Sequence, residues 1–398
     1  MVLEIDPEDL ARVKALNDDR VVLFPNHPTF REPVLVYGLS AKVGKPFYYM
    51  AAYELFNGLV GKFFQSIGVY SIRRGLVDRA SIKQTLELLI HPSCHLVLFA
   101  EGRCSFQNDR LMPFQPGGVQ LAFQAMSKLF KHQGEVPDLY ALPIAIRYHY
   151  VDKTIAEVVE LTMVEVERAL GMPEAVAAIA SPAIVSAAAE FASLAQVRDG
   201  RLRAIAERVL SDIEADYPDL RLSPAAQGSW NDRMGHLRQA LLKRCEESLG
   251  LAVNQNQPVR DRAYRIQAAL RDLADTSPLP ATLPPSLIRK SVERLLNLDA
   301  IYEGYVEENP TPERFLDTLA RFQREVFNLD EPPPKGLRKA RMLIGEPINL
   351  KDWFEAYEGD RNDTIQAVTN HIQQAVQTLL DQLVKSEFSY QSWQEKTD

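Results

Sequence analysis

His27 follows an apolar run, Arg20–Pro25, and stands five residues before Glu32 in the stretch Asn26-His27-Pro28-Thr29-Phe30-Arg31-Glu32-Pro33. An imidazole at the end of a buried strand lies at the carboxyl edge of a sheet, where α/β proteins place their sites. Pro28 keeps His27 out of the α region, so the ring is expected on an extended loop. Pro33 suits the first turn of a helix, which puts Glu32 at that helix's start. From there its carboxylate reaches the imidazole, fixes the tautomer and stabilises the imidazolium. Such a pair would act as a general base. Spacing alone is weak support, because a lone histidine at a strand end is more often structural.

Other reactive side chains have blander readings. His91 and His95 are four residues apart, but Pro92 breaks the helix that a metal-binding pair needs. Gly58-Leu59-Val60-Gly61-Lys62 is too short for a phosphate loop and lacks its Ser or Thr. Cys104 is read as filler. The clusters Arg198/Arg201/Arg203 and Arg260/Arg262/Arg265/Arg271 are read as solvated helix faces. The aromatic stretch Phe47 to Tyr70, with Lys42, Lys45 and Lys62 nearby, is mostly core. Its remainder is expected to meet lipid headgroups or an acyl chain.

The elements that must position these residues follow from pattern and composition. Residues 1–155 carry 17 basic and 15 acidic side chains, and the rest carry 28 and 38, so the overall charge of −8 is concentrated in the later part. That balance argues against a general nucleic-acid partner. Three cysteines without a CxxC pair suit a reducing compartment. The acidic amino terminus lacks the apolar run of a signal peptide. The longest uncharged apolar stretch, 175–189, is shorter than the roughly 20 residues of a membrane span. A cytoplasmic protein is therefore expected, and one that, if it meets a membrane, does so from one side.

Short β-type runs at Arg20–Pro25, Phe47–Ala51, Val69–Ile72, His95–Phe99 and Leu139–Arg147 alternate with helical patterns. The alternation predicts an α/β layer. Residues 156–335 read as helices throughout. In the clearest of them Thr311 caps, Pro312 opens, and Phe315, Leu319, Phe322 and Val326 form one stripe. Proline-rich segments at 278–285 and 332–334 interrupt the run. A strand and turn at Arg341–Leu350 precede an amphipathic helix, Asp363–Lys385.

Four blocks taken in order raise the weight of His27. They are Asn26-His27 through Glu32, Gly68 to Arg73-Arg74, Phe99-Ala100-Glu101-Gly102-Arg103-Cys104-Ser105, and the strand around Pro143. Together they resemble the glycerolphosphate acyltransferase superfamily, which includes the 1-acylglycerol-3-phosphate acyltransferases, over residues 20–147. Its blocks are an NHxxxxD stretch, a Gly-to-Arg strand, an FPEGTRS-like stretch and a strand holding a proline. Gly345-Glu346-Pro347-Ile348 resembles the family's closing GxPI strand.

The resemblance implies a mixed sheet flanked by helices with a large all-helical insertion. Residues 1–155 would form the first part of the acyltransferase domain, 156–335 the insertion, and 336–398 the closing strand and helix. It also implies that His27, held by Glu32, deprotonates an acceptor hydroxyl, which attacks an acyl thioester of acyl carrier protein or CoA. The acceptor would be a lysophosphatidic acid-like glycerol phosphate or another lysophospholipid. Arg74 or its neighbour Arg73 would bind the acceptor's phosphate together with Glu101, Gly102, Arg103 and Ser105. No metal and no cofactor are required.

Three departures stand out. Glu32 replaces the usual Asp, Ala100 replaces Pro, and Arg103-Cys104 replaces Thr-Arg, which displaces the guanidinium by one position. A glycerol-3-phosphate acceptor is the second reading. A non-catalytic membrane-binding protein on the same fold is the third.

Overall fold

The computed structural model describes residues 2–151, 155–173, 187–218, 220, 229–255, 257–274, 282–299 and 301–394. Most of the apolar stretch 175–189 and half of the proline-rich segment 278–285 lie outside them. Two units emerge: Met1–His149 with Arg338–Asp398, and Tyr150–Leu337.

The first unit is built on strands β1 (Val2–Ile5), β2 (Val21–Pro25), β3 (Tyr48–Ala52), β4 (Val69–Ile72), β5 (His95–Val97), β6 (Tyr140–Tyr150), β7 (Arg338–Ile344) and β8 (Ile348–Asn349). Their order is β1-β7-β6-β2-β5-β3-β4, and β8 pairs β6 off that path. Strand β2 is parallel to β5 and β6, and β3 is parallel to β4 and β5. Because β8 is antiparallel to β6, the sheet is mixed. The parallel pairing brings the carboxyl ends of β2 to β6 to one edge.

Every residue of β2 is buried, as a central parallel strand requires. Its side chains alternate between two apolar layers. Val21 and Leu23 join Leu35, Val36 and Leu39 on one face. Val22 and Phe24 join Phe123, Met126 and Ile372 on the other. Parallel neighbours need crossovers. These are provided by α1 (Pro7–Ala15), α2 (Glu32–Val43), α3 (Gly58–Ser66), α4 (Arg79–Ile90) and α5 (Gly117–Gln133). Gly118 lies where α5 packs on the sheet: a Cβ there would stand 3.0 Å from the Leu98 side chain and 3.2 Å from the Phe24 ring, so both would have to give way.

The second unit holds α6 (Ile155–Ala169), α7 (Ala187–Ala215), α8 (Trp230–Ser248), α9 (Val259–Ala274), α10 (Pro285–Leu298), α11 (Tyr305–Glu308) and α12 (Pro312–Val326). It has its own core, including Met163, Leu237, Val292, Phe315 and Phe322. Thr311 accepts a hydrogen bond from Arg314 N at the start of α12, the cap expected there. Two basic clusters depart from the solvated faces expected of them. Arg198 and Arg201 pair with Glu160, and Arg201 also with Glu167. Arg262 and Arg265 pair with Glu246, and the Arg262–Glu246 side chains are fully buried. A buried guanidinium needs such a partner, since removing one member leaves an uncompensated charge. Arg203 is on the surface, as expected.

Helices α13 (Phe354–Gly359) and α14 (Arg361–Gln394) return to the first unit. Ile365, Val368, Ile372, Val376, Leu380 and Leu383 of α14 are buried against the sheet, while Leu379 is only partly buried.

The expected strands are present with ends moved by three residues or fewer. Three elements differ. The acidic amino terminus forms β1, which pairs with β7 from Val2↔Lys339 to Ile5↔Met342. The helical pattern expected between Phe47–Ala51 and Val69–Ile72 is a 3-10 turn at Tyr53–Leu55 followed by α3, because Gly58 at φ +57 breaks the run. The strand and turn expected at 341–350 are β7 and the Gly345-Glu346-Pro347 turn, with a further short strand, β8, after them. Gly345 N donates to Pro143 O at 2.9 Å, and a Cβ on Gly345 would stand 2.8 Å from the Pro143 ring. The proline strand and the closing turn thus meet.

His95, on β5, is fully buried and stacked on Phe47. Burial and then the Lys45 charge push its pKa down to about 4, against a weaker opposing pull from Ser93 O. The unfolded chain therefore takes up this proton below about pH 6.5, while the folded chain resists until about 4. Stability from this group is complete above about 6.5 and declines between about 6.5 and 4, by up to roughly 3 kcal/mol. Urea unfolding across that range should show a steeper pH dependence in the wild type than in His95→Leu. Parallel curves would remove His95 from the account.

Candidate active site

The chain after β2 is held by side chains that continue the ladder where the backbone leaves it. Asn26 donates to Ile146 O at 2.9 Å and accepts from Ile146 N at 2.7 Å, bridging to β6. His27 N donates to Glu101 Oε1 at 2.6 Å, and His27 O accepts from Ser105 N at 2.9 Å. Pro28 O accepts from Phe106 N at 2.9 Å. The loop after β2 is thereby fastened to the loop after β5.

The imidazole of His27 lies on the ring of Phe99, with centroids 4.4 Å apart. Its Nδ1 is 2.8 Å from Glu32 Oε2. Glu32 is the first residue of α2 and is completely buried. It also accepts from Thr29 N at 2.9 Å, from Thr29 Oγ at 2.7 Å and from the Tyr148 hydroxyl. The start of a helix favours a negative charge as well. With Nδ1–H donated to the carboxylate, Nε2 carries the lone pair.

The electrostatics follow from these contacts. Burial acts against the charged forms of both partners. Against it, the His27, Thr29 and Tyr148 hydrogen bonds hold Glu32 below the usual carboxylate range. Burial lowers His27 too, but the neighbouring Cys104 sulfur and Glu32 outweigh it, so His27 is raised well above 6.5. Cys104 Sγ lies 3.5 Å from His27 Nε2 and donates to Thr29 O at 2.8 Å. Burial pushes this thiol up, against the opposing pull of His27.

Glu101 is fully buried, and its second carboxylate oxygen accepts from Met112 N at 2.9 Å. Gly102 has φ +73, a conformation that favours glycine, and its N–H donates to Phe99 O at 2.9 Å. Ser105 is buried, with its hydroxyl bonded to the backbone of Gln107. The amides of Gly102 and Ser105 are thus engaged within the loops. Arg103 is half-buried beside Cys104.

Of the two arginines after β4, Arg74 lies against this loop. Its Nη1 is 3.3 Å from Gly102 O and its Nη2 is 3.7 Å from Glu54. Arg73 turns away over the Tyr53 ring, 4.7 Å from its centroid, and its N–H donates to Asp78, the cap of α4. The structure thus brings His27, Glu32, Glu101, Gly102, Cys104, Ser105 and Arg74 together at one edge and sets Arg73 at its margin. Tyr148 and Thr29 were not singled out from the sequence. The Tyr-His-Tyr ending of the apolar strand was the available signal for Tyr148.

Among the described residues, no group of three or more His, Cys, Asp or Glu is placed to hold a metal ion. No helix among them is long and apolar enough to cross a membrane. A search of curated proteins returns no match. Residues 6–147, which hold the His27–Glu32 pair, the 99–105 loop and most of β6, match the family described as Acyltransferase. Over those residues the chain is similar to the acyltransferases, and they hold most of its mixed α/β sheet.

Proposed function

We propose that this acyltransferase moves a fatty acyl group from a thioester of acyl carrier protein or CoA to a hydroxyl of a lysophosphatidic acid-like glycerol phosphate. The observation that carries the reading is the 2.8 Å His27–Glu32 pair at the carboxyl edge of β2. In this reading His27 Nε2 takes the acceptor's hydroxyl proton as the oxygen bonds to the thioester carbonyl carbon. The resulting tetrahedral adduct expels the thiolate, which receives the proton back from Nε2. An alcohol needs such a base at neutral pH, whereas a thiolate leaves with little help. Glu32 holds the ring and balances the imidazolium charge, and Thr29 and Tyr148 hold Glu32. We assign Glu101 and Ser105 to positioning the loops, because their polar atoms bond to backbone.

Arg74, which reaches Gly102 O one residue before Arg103, suits the acceptor's phosphate, since a guanidinium fork matches phosphate geometry. Arg74→Ala should raise the KM for the acceptor about ten- to a hundredfold, the effect of losing a charge-assisted hydrogen bond. The KM for the thioester should stay near wild type. An effect confined to the thioester would move Arg74 out of the phosphate site.

An acceptor with a long acyl chain resides in a bilayer, so we place the enzyme peripherally at a membrane, on its cytoplasmic side. The reading is tested by assaying purified protein with acyl-CoA and acyl carrier protein thioesters against glycerol-3-phosphate, lysophosphatidic acid and other lysophospholipids. Transfer to lysophosphatidic acid supports it. Transfer only to glycerol-3-phosphate would select the second acceptor, and no transfer to any acceptor would reject it.

A further inference from the structure

The edge of the sheet beyond β3 carries a concentration of apolar surface that the fold does not use. Leu55 follows β3, and Leu59, Val60 and Phe63 lie on α3. Leu76 and Val77 follow β4. All six are exposed, from 44% at Leu76 to 82% at Leu59. Positions 59, 60 and 63 share one side of α3, while its other side packs through Phe64 against Phe56 and seats the buried Gly61 on the Phe56 backbone. A Cβ at Gly61 would stand 2.6 Å from Phe56 O, so α3 is pinned close to the chain beneath it. The apolar side is thus presented by a fixed helix.

Charge separates this segment from the rest of the molecule. Residues 53–79 carry Lys62, Arg73, Arg74 and Arg79 against Glu54 and Asp78, in a chain whose net charge is −8. Apolar side chains interspersed with cations match the boundary between acyl chains and anionic headgroups. An acidic carrier protein would satisfy the cations but leave Leu59 and Val77 against water. The patch is also joined to the candidate active site, because Arg74 reaches both Glu54 and Gly102 O.

We propose that the face formed by α3 and the loop after β4 docks on an anionic lipid bilayer, with Leu59, Phe63 and Val77 entering the headgroup boundary and Lys62 and Arg79 meeting phosphates. This deepens the membrane association proposed above by naming its surface, and it rests on that association rather than on the acyl-transfer chemistry. Docking here sets the carboxyl edge of the sheet beside the bilayer, where an acylated acceptor resides.

Flotation of the full chain with vesicles of equal parts phosphatidylglycerol and phosphatidylcholine tests the proposal, with no thioester or acceptor present. The wild type should float, and binding should fall as salt rises from about 0.05 to 0.5 M. Leu59→Glu/Phe63→Glu should lower partitioning about tenfold or more, because two exposed apolar side chains no longer enter the boundary. Lys62→Glu/Arg79→Glu should lower it for anionic but not for pure phosphatidylcholine vesicles. His27→Ala should float like the wild type, so a failure of the catalytic reading leaves this result unchanged. As a measurement independent of loss, Leu59→Trp should be quenched by brominated lipids. Wild-type flotation by the Leu59→Glu/Phe63→Glu variant, or no quenching at position 59, would overturn the proposal. Lipid-free binding of an acidic acyl carrier protein that the same double variant loses, without flotation of the wild type, would also overturn it and give the face to a protein partner.

Discussion

His27→Ala is expected to lower acyl transfer by roughly 10²–10⁴-fold, the range over which a positioned general base acts. Thermal unfolding should stay close to that of the wild type. The side chain lies at the margin of the core, and its backbone links to Glu101 and Ser105 survive the substitution. The loss should appear in kcat more than in either KM, because the ring acts when the acceptor proton moves. One complication follows from the geometry: the variant leaves Glu32 without its Nδ1–H partner in a fully buried position. The three donors from Thr29 and Tyr148 remain to satisfy that carboxylate. His27→Gln, whose amide N–H can replace the lost donor, should be as inactive as His27→Ala. Activity near wild type in both variants, with the fold intact, would remove His27 from the chemistry.

Glu32→Gln should both lower the rate and move its pH dependence. His27 works as a base only when neutral, and its pKa is raised well above 6.5, so kcat/KM should rise with pH through an apparent pKa above that value. The amide still accepts from Thr29 and still positions the ring, but it offers no charge to the imidazolium. With the Glu32 charge gone, only the Cys104 sulfur still opposes burial, and His27 falls from its wild-type position. The acidic limb should therefore shift to lower pH, while the plateau rate falls by roughly 10–10³-fold, less than for loss of the base itself. Glu32→Asp restores the residue common in related blocks but should not restore the wild type. The shorter side chain cannot span from the start of α2 to His27, Thr29 and Tyr148 together. A limb that stays in place in Glu32→Gln would separate Glu32 from the titration of His27.

The pair was legible because it is local. Six residues, His27 to Glu32, with a proline after the first and another after the last leave few ways to arrange the chain, and both prolines act through the backbone. Tyr148 depends instead on the register of β6 against β2, which pairs Pro25 with Ile144 and carries residue 148 to the start of α2. No short-range pattern encodes that register. Glu101 was legible as part of the site but not in its work: a carboxylate in a loop motif suggests a ligand contact, and only the fold reveals that it accepts from His27 N and Met112 N. The Arg198 and Arg262 clusters were misread because a charged residue in a helical pattern looks alike whether it faces water or a buried glutamate. The strand β1 was missed because four residues beside an acidic helix start have no strand signature until β7 arrives from the far end of the chain.

The place of β7 between β1 and β6 has a consequence for how the molecule is made. A ribosome delivers β1 to β6 within the first 150 residues, but their sheet waits for a strand that emerges after residue 337. Until then the facing edges of β1 and β6 have no ladder between them, and open edges invite pairing with other chains. The helices from Ile155 to Val326 appear in the interval with a core of their own, which is complete once α12 has emerged to pack against α6. Order of synthesis and order of completion are thus reversed: the inner segment can finish first, and the domain that begins the chain closes last. A fragment cut after the family-matched residues would keep His27 and Glu32 but would lack β7 and the α14 stripe that cover and complete its sheet.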